Sequence, residues 1–70
     1  MMPITMADAG DTVQIKKITG SNDIRQHLAE LGFVIDSRVT VVSRTAGNLI
    51  LNVKGARIAL DSSMANRIMV

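Results

Sequence analysis

The stretch Leu28-Ala29-Glu30-Leu31-Gly32-Phe33 decides how this chain is read. Ile24, Leu28 and Leu31 fall at i, i+4 and i+7, which is one apolar stripe of a helix of about two to three turns. Gly32 follows as the left-handed stop, and Phe33 stands where an apolar contact often accompanies such a stop. Ahead of the stripe, Gly20-Ser21-Asn22-Asp23 has turn and cap chemistry. Asp23 and Gln26 form a loose capping-box pair, with Ser21 or Asn22 as the alternative cap.

Outward from this helix the pattern is β-type. In Thr12 to Ile18, Val13 and Ile15 alternate with Thr12, Gln14 and Lys16, the mark of a half-buried strand. Lys17-Ile18 breaks the alternation by one place, which predicts a bulge or the strand end. From Arg38 to Arg44, Val39 and Val41 share one face, and Leu49, Leu51 and Val53 form the next set. A three-residue loop, Ala46-Gly47-Asn48, would place Val41 opposite Val53 and make the apolar faces coincide, with Gly47 or Asn48 at positive φ. A two-residue Gly47-Asn48 turn would set Val41 against Lys54.

Gly55-Ala56 reads as a second turn, followed by Arg57-Ile58-Ala59-Leu60 as a short strand. Asp61 is placed to cap one helical turn over Ser62 to Ala65, and Arg67 to Val70 is the last strand, with Ile68 and Val70 inward. Thr5 is placed to cap another turn through Met6 to Ala9. The expectation is a mainly β fold and a single domain over residues 1–70. It is a small SH3-like β-barrel of about five strands, with one short helix after the first strand and a helical turn before the last. Val13, Ile15, Val39, Val41, Leu49, Leu51, Val53, Ile58, Leu60 and Ile68 would fill it. Val42, Ile50 and Met69 would face outward, and Phe33, Val34 and Ile35 would emerge at the loop beyond the helix.

Composition removes several function classes. The chain has 70 residues and no cysteine, so it carries neither a disulfide nor a thiolate metal site. No apolar run approaches the ~20 residues of a membrane span, and there is no signal-peptide pattern, so a cytoplasmic protein that is not membrane-embedded is expected. Net charge is +2, and the basic residues are scattered rather than clustered. Phe33 is the single aromatic residue, too few for the stacking platforms of single-strand binders, so no nucleic-acid partner is expected.

No catalytic constellation is present either. His27 is the only histidine and lies on a short surface helix with no elbow-mounted serine near it, so the chain is expected not to be an enzyme. Asp23, His27 and Glu30 fall at i, i+4 and i+7 on one helix flank, ligand types that suit Zn2+ or Fe2+. The competing reading is a solvated polar stripe, so no cofactor is required and weak Fe2+ or Zn2+ binding is all that three exposed ligands allow.

Laid out this way, the sequence resembles the FeoA family, small accessory proteins of bacterial ferrous-iron uptake. The resemblance runs from about Ile4 to Val70. It is carried by Ala9-Gly10, by Leu28-Ala29-Glu30-Leu31-Gly32-Phe33, by Gly47, by Gly55 to Leu60 and by Ala65 to Val70. Where the family has Pro-Gly after the helix, this chain has Ile35-Asp36, so a turn there would need positive φ at Asp36. The resemblance implies a module that docks on the cytoplasmic part of a FeoB-type membrane GTPase transporter and modulates it. As the alternative it allows an interaction domain of a metal-dependent transcriptional repressor, while the fold and pI keep a small metal- or nucleic-acid-binding barrel as a further alternative. The start at Met1 and the end on a strand fit a free-standing protein, and exposed apolar strands leave a homo-oligomer open. The docking surface expected is the helix with its following loop, namely Arg25, Gln26, Glu30, Phe33 and Val34.

Overall fold

A computed structural model of the chain describes all of its residues, 1–70. A 3-10 turn at Ile4–Met6 precedes strands β1 (Thr12–Gln14) and β2 (Lys17–Ile18) and helix α1 (Asn22–Glu30). Strands β3 (Arg38–Thr45), β4 (Asn48–Val53) and β5 (Ala56–Asp61) follow as a meander, then helix α2 (Ser62–Ala65) and β6 (Ile68–Met69). The strands form a four-stranded sheet in the order β1-β3-β4-β5 and a two-stranded sheet of β2 and β6. The fold is mainly β and SH3-like, with six strands where about five were expected.

The extra strand comes from a change of partner within one extended run. Thr12, Val13 and Gln14 pair with Thr40, Val39 and Arg38. Ile15 still donates to Ser37 and accepts from Asp36, at 2.9 and 2.8 Å, but Lys16 N–H donates to Met69 on the other sheet at 2.8 Å. Lys17 and Ile18 then pair with Met69 and Ile68. One stretch of chain therefore belongs to both sheets, and the break in alternation at Lys17-Ile18 marks the crossing. At the chain ends, Met2 and Val70 exchange backbone hydrogen bonds of 2.9 and 2.8 Å.

The β3–β4 hairpin reaches a coincident apolar face by a different route from the one expected. The turn is the two-residue Ala46-Gly47, because Thr45 pairs with Asn48 and Arg44 with Leu49. A bulge at Val42 then shifts the register, so that Val41 faces Leu51 and Val39 faces Val53. The extra residue restores the face that a plain two-residue hairpin would have split. Gly47 has the expected positive φ, at 80°.

The second turn lies one residue earlier than expected. Val53 pairs with Ala56, leaving Lys54-Gly55 at the tip with φ of 51° and 79°, the two positive values of a type I′ turn. Strand β5 accordingly runs to Asp61, whose side chain caps α2 by accepting from Met64 N–H at 2.8 Å. The first turn also differs. It covers Ile4–Met6 with no side-chain cap, and Thr5 instead donates its hydroxyl hydrogen to Asn66 near the other end of the chain.

The core holds Ile15, Val39, Val41, Leu49, Leu51, Val53, Leu60 and Ile68 as expected, with Val13, Ile58 and Val70 only half-buried against it. It also includes Ile4, Ala7, Leu28, Phe33 and Ala65. Val42, Ile50 and Met69 are half-buried rather than free on the surface. Full burial of a Leu, Ile or Phe side chain contributes about 1.5–3 kcal/mol, so these additions matter to so small a domain.

Candidate functional site

Helix α1 is held at both ends by its own sequence. Ser21 is the N-cap and accepts from Ile24 N–H at 3.3 Å, while Asp23 lies inside the first turn. At the other end Gly32, at φ 105°, donates to Ala29 and Phe33 donates to Leu28, both at 2.9 Å. These two bonds make a Schellman stop, whose usual apolar companion joins the residue after the glycine to the helix's penultimate turn. Leu28 and Phe33 are both fully buried.

This fixes Phe33 inward and corrects its expected place on the surface. The chain leaves the core within two residues. Val34 is half-buried and Ile35 is 52% exposed. Asp36 takes φ 73°, the left-handed conformation that the Ile35-Asp36 pair predicts. Asp36 and Ser37 are tied by backbone hydrogen bonds to Ile15 and Val34, at 2.8 and 3.1 Å.

The result is an open groove of about 360 Å³ between β2, α1 and this post-helix segment. Phe33, Val34 and Ile35 line one part of it, and Ala29 and Ile18 complete the apolar surface. Two cations line it as well, Lys17 from β2 and Arg25 from α1. Arg25 and Ala29 are four residues apart and so share a helix face. The side-chain hydrogen bonds of the fold, from Thr5, Thr12, Gln14, Thr19, Arg44 and Ser63, engage neither Lys17 nor Arg25. Arg44, by contrast, is committed to Ala7 O at 2.9 Å.

Of the five expected docking residues the groove gathers Arg25, Phe33 and Val34, with Phe33 contributing from within the core. Gln26 and Glu30 are exposed but lie outside it. At 100° per residue they sit about 100° or more around the helix from Arg25. Lys17, Ile18, Ala29 and Ile35 line the groove outside the expected set; for Lys17 and Ile18 a strand residue with no helical neighbour in sequence gives no sign that it faces a helix.

The expected metal ligands do not form a centre. No group of three or more His, Asp or Glu side chains is disposed to hold a metal ion. Asp23 and Glu30 are separated by about 10 Å along the axis of α1, at ~1.5 Å per residue. Asp23, His27 and Glu30 are not gathered around a common point. All three are exposed. No helix is long and apolar enough to cross a membrane.

Comparison with known proteins places this geometry in context. A family model described as the FeoA domain matches residues 2–70. The chain is 34% identical over 70 residues to a protein of Methanocaldococcus jannaschii named as a candidate Fe(2+) transport protein A, covering 100% of this chain and 85% of that one. Among solved structures, an iron uptake regulatory protein (FeoA) superposes with a TM-score of 0.90 at 29% identity, over 99% of this chain and 92% of that chain. The zinc complex of FeoA from Stenotrophomonas maltophilia, described as a prokaryotic SH3 domain protein, has a TM-score of 0.87 at 28% identity and covers 100% of this chain and 89% of that one. A manganese-dependent transcriptional repressor contains a similar unit, with a TM-score of 0.87 at 26% identity over 94% of this chain but only 38% of the repressor.

Proposed function

Since the chain belongs to the FeoA family, we propose that it is a non-enzymatic, cytoplasmic accessory module of ferrous-iron uptake. It docks on the cytoplasmic part of a FeoB-type membrane GTPase transporter and modulates it. The observation that carries this reading is the groove beside α1, an apolar surface with two uncommitted cations on a fold whose interior is filled by side chains. A filled interior leaves no chamber for a substrate, so the chain communicates through its exterior. Nothing in this reading needs a resident metal; any Fe2+ or Zn2+ binding is weak and incidental.

Calorimetric titration of the transporter's isolated cytoplasmic domain into this protein tests the proposal. Saturable binding is expected, with affinity lowered tenfold or more in Ile35→Asp and unchanged in Gln26→Ala. Absence of heat with the wild-type chain at millimolar concentration would overturn it. A second reading is favoured by the repressor that contains a similar unit, in which this SH3-like domain is an interaction domain of a transcriptional regulator. Under that reading the chain binds a repressor segment and ignores the transporter domain.

A further inference from the structure

We infer that the groove takes a short segment of a protein partner in which one or two aliphatic or aromatic side chains are flanked by Asp or Glu. This rests on the groove being the docking site, and it adds what the partner must present there.

The apolar part is limited. Phe33 is fully buried and its backbone N–H is bonded to Leu28 O, so the packed core closes the floor of the groove. About 360 Å³ lies at the low end of small-molecule sites, room for a few side chains. Ile35, 52% exposed at the rim, adds apolar area that water covers in the free protein.

Charge selects the flanks. Lys17 and Arg25 come from different elements, line the same groove and have no side-chain hydrogen bond within the fold. The acidic residues of α1, Asp23 and Glu30, are absent from the groove lining. An incoming basic segment would therefore meet uncompensated like charge, and an acidic one meets partners that are already free. Rim charges of this kind act on encounter rate and on the choice of partner more than on raw affinity. Docking of an extended or helical segment by apolar anchors with charged flanks is an ordinary mode of peptide recognition.

The test is selection from a random dodecapeptide phage-display library on immobilised wild-type protein. Expected winners carry a Leu, Ile, Met or aromatic centre with acidic neighbours. Synthesised singly, they lose at least tenfold in affinity for Lys17→Glu/Arg25→Glu, and for Ala29→Glu, an exposed helix site at the groove. Circular dichroism melts of both variants must match wild type, since exposed charge substitutions change stability by less than about 0.5 kcal/mol. Winners without acidic bias, winners indifferent to the charge reversal, or no winners at all would overturn the inference. So would wild-type-like binding to vesicles of anionic phospholipid that the same reversal abolishes, with no peptide selected. Failure here leaves the calorimetric test with the transporter domain standing. Failure of that test alone removes the transporter and leaves the peptide preference intact.

Discussion

The meander β3–β4–β5 and the segment from α1 to Asp36 use apolar residues in opposite ways. In the meander every second residue of β4, Leu49, Leu51 and Val53, goes to the core, and the residues between them are exposed or half-buried on the other face. After the helix, Phe33, Val34 and Ile35 are three apolar residues in a row that pass from fully buried to 52% exposed. The first arrangement only builds a fold. The second builds a fold and an apolar surface from consecutive residues, with no period to separate the two tasks.

The sharpest way to break this comparison is Phe33→Ala. If Phe33 were a surface anchor the change would cost little stability; as a core residue it should cost about 3–5 kcal/mol in urea unfolding. A chain of this size has a total stability of only about 3.5–10 kcal/mol, so partial unfolding at room temperature is expected. Ile35→Ala, two residues on, should change stability by less than about 0.5 kcal/mol. Equal effects of the two variants would erase the distinction between floor and rim.

Next in size is Leu51→Ala in the meander, expected to cost about 2–5 kcal/mol. Its remaining folded fraction should keep the groove's binding properties, since Leu51 lies in the sheet away from the groove lining. Loss of binding beyond the loss of folded protein would show that the two regions are coupled.

Much of the meander was legible because alternation reports burial directly. Val39, Val41, Leu49, Leu51 and Val53 are inward as their spacing predicts. The hairpin register differs from its expectation because the alternation around Val42 fits a three-residue loop as well as a two-residue turn with a bulge. Val41-Val42 places two apolar residues side by side, and either one can be turned inward. Leu31-Gly32-Phe33 shows the Schellman stop and the apolar contact that goes with it, and that contact holds Phe33 in the core and not at the surface of the loop. The burial of Ile4 and Ala7 is not legible in the sequence for a related reason. A short 3-10 turn has too few residues to show a period, and their burial is decided by distant partners, among them Arg44 bonded to Ala7 O. The cations of the groove could not be gathered from sequence, since Lys17 and Arg25 meet only when β2 and α1 pack.

Smaller effects sharpen the same contrast at its turns. Gly32→Ala should cost about 1–2 kcal/mol in unfolding. The added Cβ would have its nearest neighbours on Val53 at 3.7 Å, so the penalty lies in the φ of 105° and not in crowding. At the meander's tip Lys54 holds a φ of 51° that Asn and Gly adopt more readily. Lys54→Asn should therefore raise the stability by about 0.5 kcal/mol. A loss would show that the Lys54 side chain has a structural partner.

The smallest effect is electrostatic. Hydrogen bonds from Met64 N–H and the Ser63 hydroxyl hold the Asp61 carboxyl below the usual carboxylate range. A lowered value means that the folded state favours the ionised form. The contribution is complete above about pH 4, the unfolded value, and is lost as pH falls through the lowered folded value. Asp61→Asn should keep a cap but flatten this acid dependence in thermal melts below about pH 4. An unchanged acid limb would assign it to other carboxylates.

On the proposed function the surface beside α1, and not the meander, receives the partner. Amide chemical-shift mapping of this protein during titration with the transporter's cytoplasmic domain addresses it most directly. Shifts are expected to concentrate at Lys17, Ile18, Arg25, Ala29 and residues 33 to 35, and Ile35→Asp should abolish them without altering the free spectrum elsewhere. Shifts centred on β3 to β5, persisting in that variant, would contradict it.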